Sequence, residues 1–543
     1  MTPIAQLRAA VEAASESVAG ADGRARARPT LERPKQAGHG DYATNAAMLL
    51  APVVGAPPRD VAERVGSELQ SLLGEAVERV EVAGPGFLNL FLSHAWHTAA
   101  LAHVLEAGTA YGGGAAAPAQ RVNVEFVSAN PTGPMHAGHA RNAAYGDALA
   151  RILAFRGHEV TREFYINDHG SQVRKFGESI QARARGAEPP EGGYQADYVR
   201  ELAQALDGPA DRDVMEVADA GLALMLERMR ATLQAFGVEI DVWFSERSLH
   251  DGADPKVTQA FARLDELGQT YRSDGALWLR TSAHGDDKDR VLERSTGEHT
   301  YFASDLGYML DKRERGFDRL LLVLGADHHG YVNRMRAAFE SLGGDPEDLE
   351  LLIMQFVHLV QRGERSSMSK RRGEFVSLDD LVGEIGVDAA RWFLLQRSHD
   401  TTVDLDIDLA REQSSENPVF YVQYAHARIA SIRAKAGAGR VEAALAEAGA
   451  HAGDLDPAER TLVKKLLAFG EEVAEAADRR APHRIAAYAL ELAQTYTAFY
   501  RDCLVVGAEG EGVESFRLAL SVASQRTLAR SLDLLGVGAP DSM

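Results

Sequence analysis

The sequence predicts a multidomain protein: a small α+β domain, then a Rossmann-like, doubly wound α/β domain with insertions, then an all-α bundle. Three observations carry this prediction. Between Arg121 and Asp147 a period-two stretch breaks at Pro131, Gly133 and Pro134 and gives way to helical spacing, the strand–turn–helix opening of a parallel α/β sheet. Leu320–Tyr331 (L-L-L-V-L-G-A-D-H-H-G-Y) is an apolar run bounded by glycine, as expected of a strand buried on both faces. From about residue 403 onward the pattern is helical.

The elements follow in order. Ile4, Leu7, Val11 and Val18 mark an amphipathic first helix, and Arg24, Arg26, Arg28, Arg33 and Lys35 then form a basic stretch against Glu32. That stretch reads as a solvated loop or as a phosphate-contacting arm. Gly38–Met48 is a turn feeding an alanine-rich helix, and Val80–Leu92 gives strand, Gly-Pro-Gly turn, strand. This α+β unit spans residues 1–111, and Gly112–Ala119 is the linker. The α/β domain spans 118–402. Val160–Val173 is a strand ending in polar residues at a helix start, and residues around 175–300, including the strand-like Gly275–Arg280, look inserted between the halves of the fold. In the last domain, 403–543, a long helix starts at Pro418, and further helical patterns cover Leu462–Ala474, Ile485–Leu504 and Phe516–Leu535. The D-L-D-I-D-L stretch from Asp404 fails as a calcium loop, since Leu409 and Ser415 stand where glycine and glutamate are required.

Composition excludes several classes. One cysteine, Cys503, rules out an intramolecular disulfide framework and a cysteine-based zinc ribbon. No apolar leader and no run of about 18 apolar residues is present, so a soluble cytoplasmic protein without membrane contact is expected. A net charge of −21 argues against indiscriminate nucleic-acid binding but leaves local basic patches open.

The chemistry concentrates in two stretches. His136 and His139, flanking Gly138, fall at a helix N-terminus just past a strand, where unpaired backbone N–H groups and the helix dipole receive phosphate. Gly138 there leaves room for a ring or phosphate to approach the backbone. A plain turn is the bland alternative; a zinc site lacks the spacing and the further ligands it needs. Asp327, His328 and His329 end the second apolar run, as substrate donors, turn residues or a metal cluster. The second stretch, Arg362–Leu381, gathers Arg365, Lys370, Arg371 and Arg372 in a serine- and glycine-containing loop suited to closing over a triphosphate.

E-F-V-S-A-N-P-T-G-P-M-H-A-G-H (Glu125–His139) resembles the H-I-G-H region of the arginyl-tRNA synthetases, a family of class I aminoacyl-tRNA synthetases. M-S-K-R-R-G (Met368–Gly373) resembles their K-M-S-K-S signature in the right order, although Ser367 replaces the first lysine and Arg371 the last serine. The terminal domains resemble the family's N-terminal tRNA-contacting module and its anticodon-binding domain. The resemblance implies ligation of L-arginine to tRNA(Arg) through an adenylate, with ATP as co-substrate, Mg2+ on the phosphates, no metal ligands in the protein and a monomeric state. It implies catalytic roles for His136, His139 and Lys370, and ATP contacts from these with Gly138, Met368 and Ser369. The signature stretch is Ala129, Asn130, Pro131, Thr132, Gly133, Pro134, Met135, His136, Ala137, Gly138 and His139. A guanidinium needs carboxylate partners in a partly dry pocket, for which Glu125 and Asp305 are chosen, with Tyr301 four residues before Asp305 on one helical face. Asn130 and His328 match family positions near the amino-acid backbone. Aromatics Tyr421, Tyr424, Tyr488, Tyr496, Phe499 and Tyr500 either stack unpaired bases or fill the helical core. The rival readings are a catalytically silent tRNA-binding paralogue and a nucleotidylyltransferase, and the latter leaves the terminal domains unexplained.

Overall fold

The computed structural model describes residues 2–20, 28–34, 38–114, 116–367, 376–447 and 454–543. The first domain packs helices Pro3–Ala19, Ala46–Val54 and Pro58–Leu73 on a four-stranded antiparallel sheet of Leu31–Glu32, Tyr42–Thr44, Phe87–Leu92 and Val77–Ala83, in that spatial order. Val11, Leu50, Val61, Val65, Leu69 and Leu88 form its core. Of the basic stretch, Arg24, Arg26 and Lys35 lie outside the described residues. Arg33 is paired with Glu471 of the last domain at 2.8 Å.

The central domain is built on five parallel strands. In chain order they are Arg121–Glu125, Glu159–Ile166, Val242–Ser245, Arg319–Gly325 and Leu349–Met354; in space they run third, second, first, fourth, fifth. The order reverses between Arg121–Glu125 and Arg319–Gly325. That switch point opens a crevice beyond the strands' carboxyl ends, where such sheets bind ligands. Alternation did not make the first strand amphipathic: residues 122–125 are all buried, because helices cover both faces of a parallel sheet. Helix Ala140–Arg156 lies close against it. A Cβ on Gly146 would sit 2.1 Å from the Phe126 ring, so glycine sets this helix–strand distance.

The stretch 175–300, read as inserted, contributes strand Val242–Ser245 to the main sheet. Helices Ser171–Ala184, Asp197–Ala205 and Val214–Ala235 precede that strand, with their own core around Phe176, Ile180 and Leu222. A three-stranded antiparallel sheet, Thr270–Ser273, Ala276–Leu279 and Arg290–Glu293, follows it. Val403–Asp406, the rejected calcium loop, is a strand parallel to Val357–Gln361.

Helices Pro418–Ala436, Ala438–Ala446, Pro457–Leu467, Phe469–Asp478, His483–Asp502 and Val513–Leu534 form the terminal bundle. Its core takes Tyr488, Tyr496 and Phe499 and leaves Tyr424 and Tyr500 exposed. The bundle docks on a wholly buried pair of the central domain: the Arg391 guanidinium donates to Asp147 at 2.6 Å and, across the domain boundary, to the Leu535 carbonyl at 2.8 Å. Removing either partner would leave an uncompensated buried charge.

Candidate active site

The carboxyl ends of the sheet enclose a cavity of about 680 Å³ lined by Ser128, Asn130, His136, Gly138, His139, Asn142, Tyr165, Asn167, His328, Gln355 and Phe356 among others. It lies at the switch point. Its floor begins with a backbone distortion: Val127 and Ser128 have φ of 70° and 42°, rare for residues with a Cβ and costly unless the surroundings hold them. They are held. The Ser128 hydroxyl donates to Glu125 at 3.0 Å and accepts from the Tyr165 backbone N–H at 3.1 Å.

The His136 and His139 rings stack with centroids 3.7 Å apart. Burial pushes both imidazoles down, His139 to about 3 with help from His136, so at neutral pH both are uncharged donors and not cations. Their Nδ1 atoms are buried without hydrogen-bond partners among the described residues, the condition of groups that meet a polar ligand. Gly138 was expected to make room for a ligand. The structure gives another reason: a Cβ there would meet the His136 ring at 2.7 Å. Arg141, in the same helix turn, donates to the carbonyls of Gln355 and Ser398 at 2.7 and 2.8 Å and fixes the cavity's far wall.

Lys370, Met368, Ser369, Arg371, Arg372 and Gly373 lie outside the described residues. The chain on either side is placed. It enters from strand Glu364–Ser367, paired with Val357–Gln361, and leaves at Val376. There the Ala137 N–H donates to the Val376 carbonyl at 2.8 Å and the Leu378 N–H to the Met135 carbonyl at 3.0 Å. The exit of the basic loop is thus stitched to the H-A-G-H turn. Segments more than 200 residues apart in the sequence, the H-A-G-H turn and the chain from Val376 to Leu378, are hydrogen-bonded neighbours.

A second group of side chains lies by Tyr165. Asp305, on helix Tyr301–Glu314, is half-buried and accepts from the Tyr331 hydroxyl. Burial, with Glu246 and Glu125 nearby, raises its carboxyl to about 7. Glu246, buried, is raised by burial and by Asp168, with the Tyr165 and Ser304 hydroxyls as its partners. Glu125 differs from both, since it already binds Lys312 at 2.6 Å. Below it, burial would raise Glu163, but Lys312, Arg315 and Tyr308 hold it at about 2. Tyr301, expected on one helical face with Asp305, opens the same helix four residues before it and is 73 % exposed. The Tyr331 hydroxyl is the hydrogen-bond partner of Asp305. Asn130 stands at the cavity rim, 3.4 Å from Gln172, and His328 lines the opposite wall. The side chains of Asp327 and His329 lie outside the described residues. Glu246 and Tyr331 escaped the sequence reading; their only signal was a position just after a strand.

Of the remaining signature residues, Ala129, Pro131, Thr132, Met135 and Ala137 are buried and shape the turn, while Gly133 and Pro134 face outward to differing degrees. Tyr198 secures the turn from outside by donating to the Thr132 carbonyl at 2.7 Å.

Comparisons with known proteins agree along the whole chain. Family models match as the arginyl tRNA synthetase N terminal domain at residues 5–92, the class I (R) tRNA synthetase catalytic domain at 100–184 and 218–430, and the DALR anticodon binding domain at 422–543. The arginine–tRNA ligase of Kineococcus radiotolerans is 46 % identical, over 99 % of this chain and 98 % of its own. That of Geobacillus thermodenitrificans is 45 % identical over 94 % of each. The arginyl-tRNA synthetase of Thermus thermophilus superposes with a TM-score of 0.75 at 26 % identity, covering 99 % of this chain and 100 % of its own. The chain belongs to the arginyl-tRNA synthetases, a family of class I aminoacyl-tRNA synthetases.

Proposed function

We propose that Asp305 and Glu246, with Glu125 behind them, receive the guanidinium of L-arginine, and that His136, His139 and Lys370 receive the triphosphate of ATP. The enzyme ligates L-arginine to tRNA through an arginyl-adenylate. The arginine carboxylate attacks the α-phosphorus, pyrophosphate leaves, and a terminal ribose hydroxyl of the tRNA then attacks the adenylate carbonyl. No protein nucleophile takes part, so catalysis rests on positioning and on charge stabilisation.

The observation carrying the assignment is Asp305. Its carboxyl is held near 7 because it is desolvated beside two other carboxylates. Only Glu125 of the three has a lysine partner. Such a group gains most from one bound cation, and a guanidinium supplies charge and planar donors together. The neutral imidazoles suit the other end: each offers an N–H to phosphate without a bound counter-ion to displace. Mg2+ is assigned to the nucleotide's own oxygens, as part of the substrate. Asn130 and His328, both on the cavity wall, are assigned to the amino and carboxylate groups of arginine. In the terminal bundle, Arg428 lies over Tyr424 at 4.7 Å and over Tyr500 at 5.4 Å, and these exposed rings offer faces for unpaired tRNA bases.

We place tRNA contacts in residues 1–111 and 403–543 and chemistry in 118–402, in a monomeric cytoplasmic enzyme. Among the described residues no helix is long and apolar enough to cross a membrane. Charging assays with each of the twenty amino acids and total tRNA test the function. Charging of an amino acid other than arginine would refute it.

A further inference from the structure

Strands Glu159–Ile166 and Val242–Ser245 run side by side and parallel, so the turns at their carboxyl ends meet. One turn carries His169, within N-D-H-G. The other carries Glu246 and His250. One ligand atom from each of the three lies within 4.8 Å of the others. We propose that His169, Glu246 and His250 bind one divalent transition-metal ion of the zinc class at the edge of the arginine pocket, and that this ion and arginine exclude one another. The exclusion rests on the reading that Glu246 faces the guanidinium; the metal site does not.

The donor chemistry is specific. Two imidazoles and one carboxylate form a set that suits Zn2+, Co2+ or Ni2+ and leaves a further position for water. The hydrogen-bond partners allow the proton arrangement of a ligand set. The Ser304 hydroxyl hydrogen-bonds to Glu246 and lies 2.9 Å from His250 Nε2. If Ser304 donates to the carboxylate, it accepts from the His250 Nε2–H, and the Nδ1 lone pair is left for a metal. Fixing a metal-binding imidazole through its other nitrogen is how such sites are ordinarily oriented.

The neighbouring carboxylate does not compete. Asp168 is occupied by the Ser245 hydroxyl at 2.5 Å and the Arg247 backbone N–H at 2.9 Å. One adjustment is required. The His169 and His250 rings lie parallel, 7° apart with centroids at 4.1 Å, so their in-plane lone pairs do not converge. His169 is exposed and must turn out of the stack, whereas Glu246 and His250 are held by Ser304 and Tyr165. Binding therefore converts a ring stack into a chelate, and this movement falls on the most exposed of the three.

The test uses the purified full-length chain with chelator-stripped buffers and constant Mg2+. Zn2+ binding is measured by calorimetry, and Co2+ by its visible absorption. One equivalent is expected, with His169→Ala and His250→Ala each weakening it about 100-fold. A wild-type protein without a saturable single ion, or a His169→Ala protein of unchanged affinity, overturns the site. His169→Ala keeps the metal-free rate of arginine activation, which certifies its fold. In the second arm, Zn2+ should raise the arginine KM of the wild type and leave that of His169→Ala unchanged. A wild-type KM indifferent to saturating Zn2+ overturns the exclusion. Glu246→Gln separates the two readings: lost Zn2+ binding with a normal arginine KM refutes the guanidinium assignment and leaves the metal site standing.

Discussion

Asp305 should make arginine binding depend on pH in a direction fixed by its environment. In the free enzyme its carboxyl titrates at about 7, above its ordinary value of 3.8, because it is desolvated beside Glu246 and Glu125. The guanidinium needs the ionised form, so binding pulls the carboxyl down and releases a proton. Affinity must therefore rise with pH through 7 and level off above. Apparent affinity scales with the competent fraction. With half the molecules ionised at pH 7, the arginine KM should be about fivefold higher at pH 6 and about twofold lower at pH 8. Asp305→Asn removes the charge while keeping the shape. It leaves the bound guanidinium short of one partner, a loss of about 3–5 kcal/mol, or more than 100-fold in arginine KM. The ATP KM should stay within about twofold, since the nucleotide end of the cavity is formed by other residues. The measurement is arginine-dependent aminoacylation at constant ionic strength from pH 6 to 8, in wild type and variant. The difference between their profiles isolates Asp305 from Glu246, whose carboxyl is also raised. A flat wild-type profile, or a variant with normal arginine KM, refutes the reasoning.

Lys370→Ala should slow adenylate formation by roughly 100-fold with little change in arginine KM, as removal of one cation aimed at a transition state does; single-turnover kinetics would show it. Lys312→Met should strand Glu125 without its buried cation, while Glu163 keeps Arg315, and destabilise the central domain by about 3–5 kcal/mol, read as an earlier onset of thermal unfolding. Tyr424→Ala should weaken tRNA binding by about 1–3 kcal/mol and leave arginine KM unchanged, measured by filter binding alongside steady-state kinetics. Pyrophosphate exchange should appear only with tRNA present, because Ser367 supplies no cation to hold the basic loop closed. Full exchange without tRNA would exclude that account.

The sequence by itself determined what depends on short-range pattern. The strand–turn–helix around His136 and His139, the buried strand before His328, the helix starting at Pro418 and the order of three domains all follow from periodicity and from breakers such as Pro131 and Pro134. Family strings extended that reading to the reaction. Tertiary structure alone decided the charge states and the partners. His136 and His139 look like potential cations in a string of letters, yet burial keeps them neutral. Glu125 looks like a free carboxylate, yet Lys312, 187 residues away, occupies it. Tyr301 has the spacing to Asp305 that the sequence suggests, but the hydroxyl that meets Asp305 comes from Tyr331, in another element. Glu246, His250 and His169 carry no motif that joins them, and only the parallel pairing of two strands brings them together. Periodicity is a local property of the backbone, whereas desolvation and ion pairing depend on every segment packed around a group, and those segments are distant in the chain.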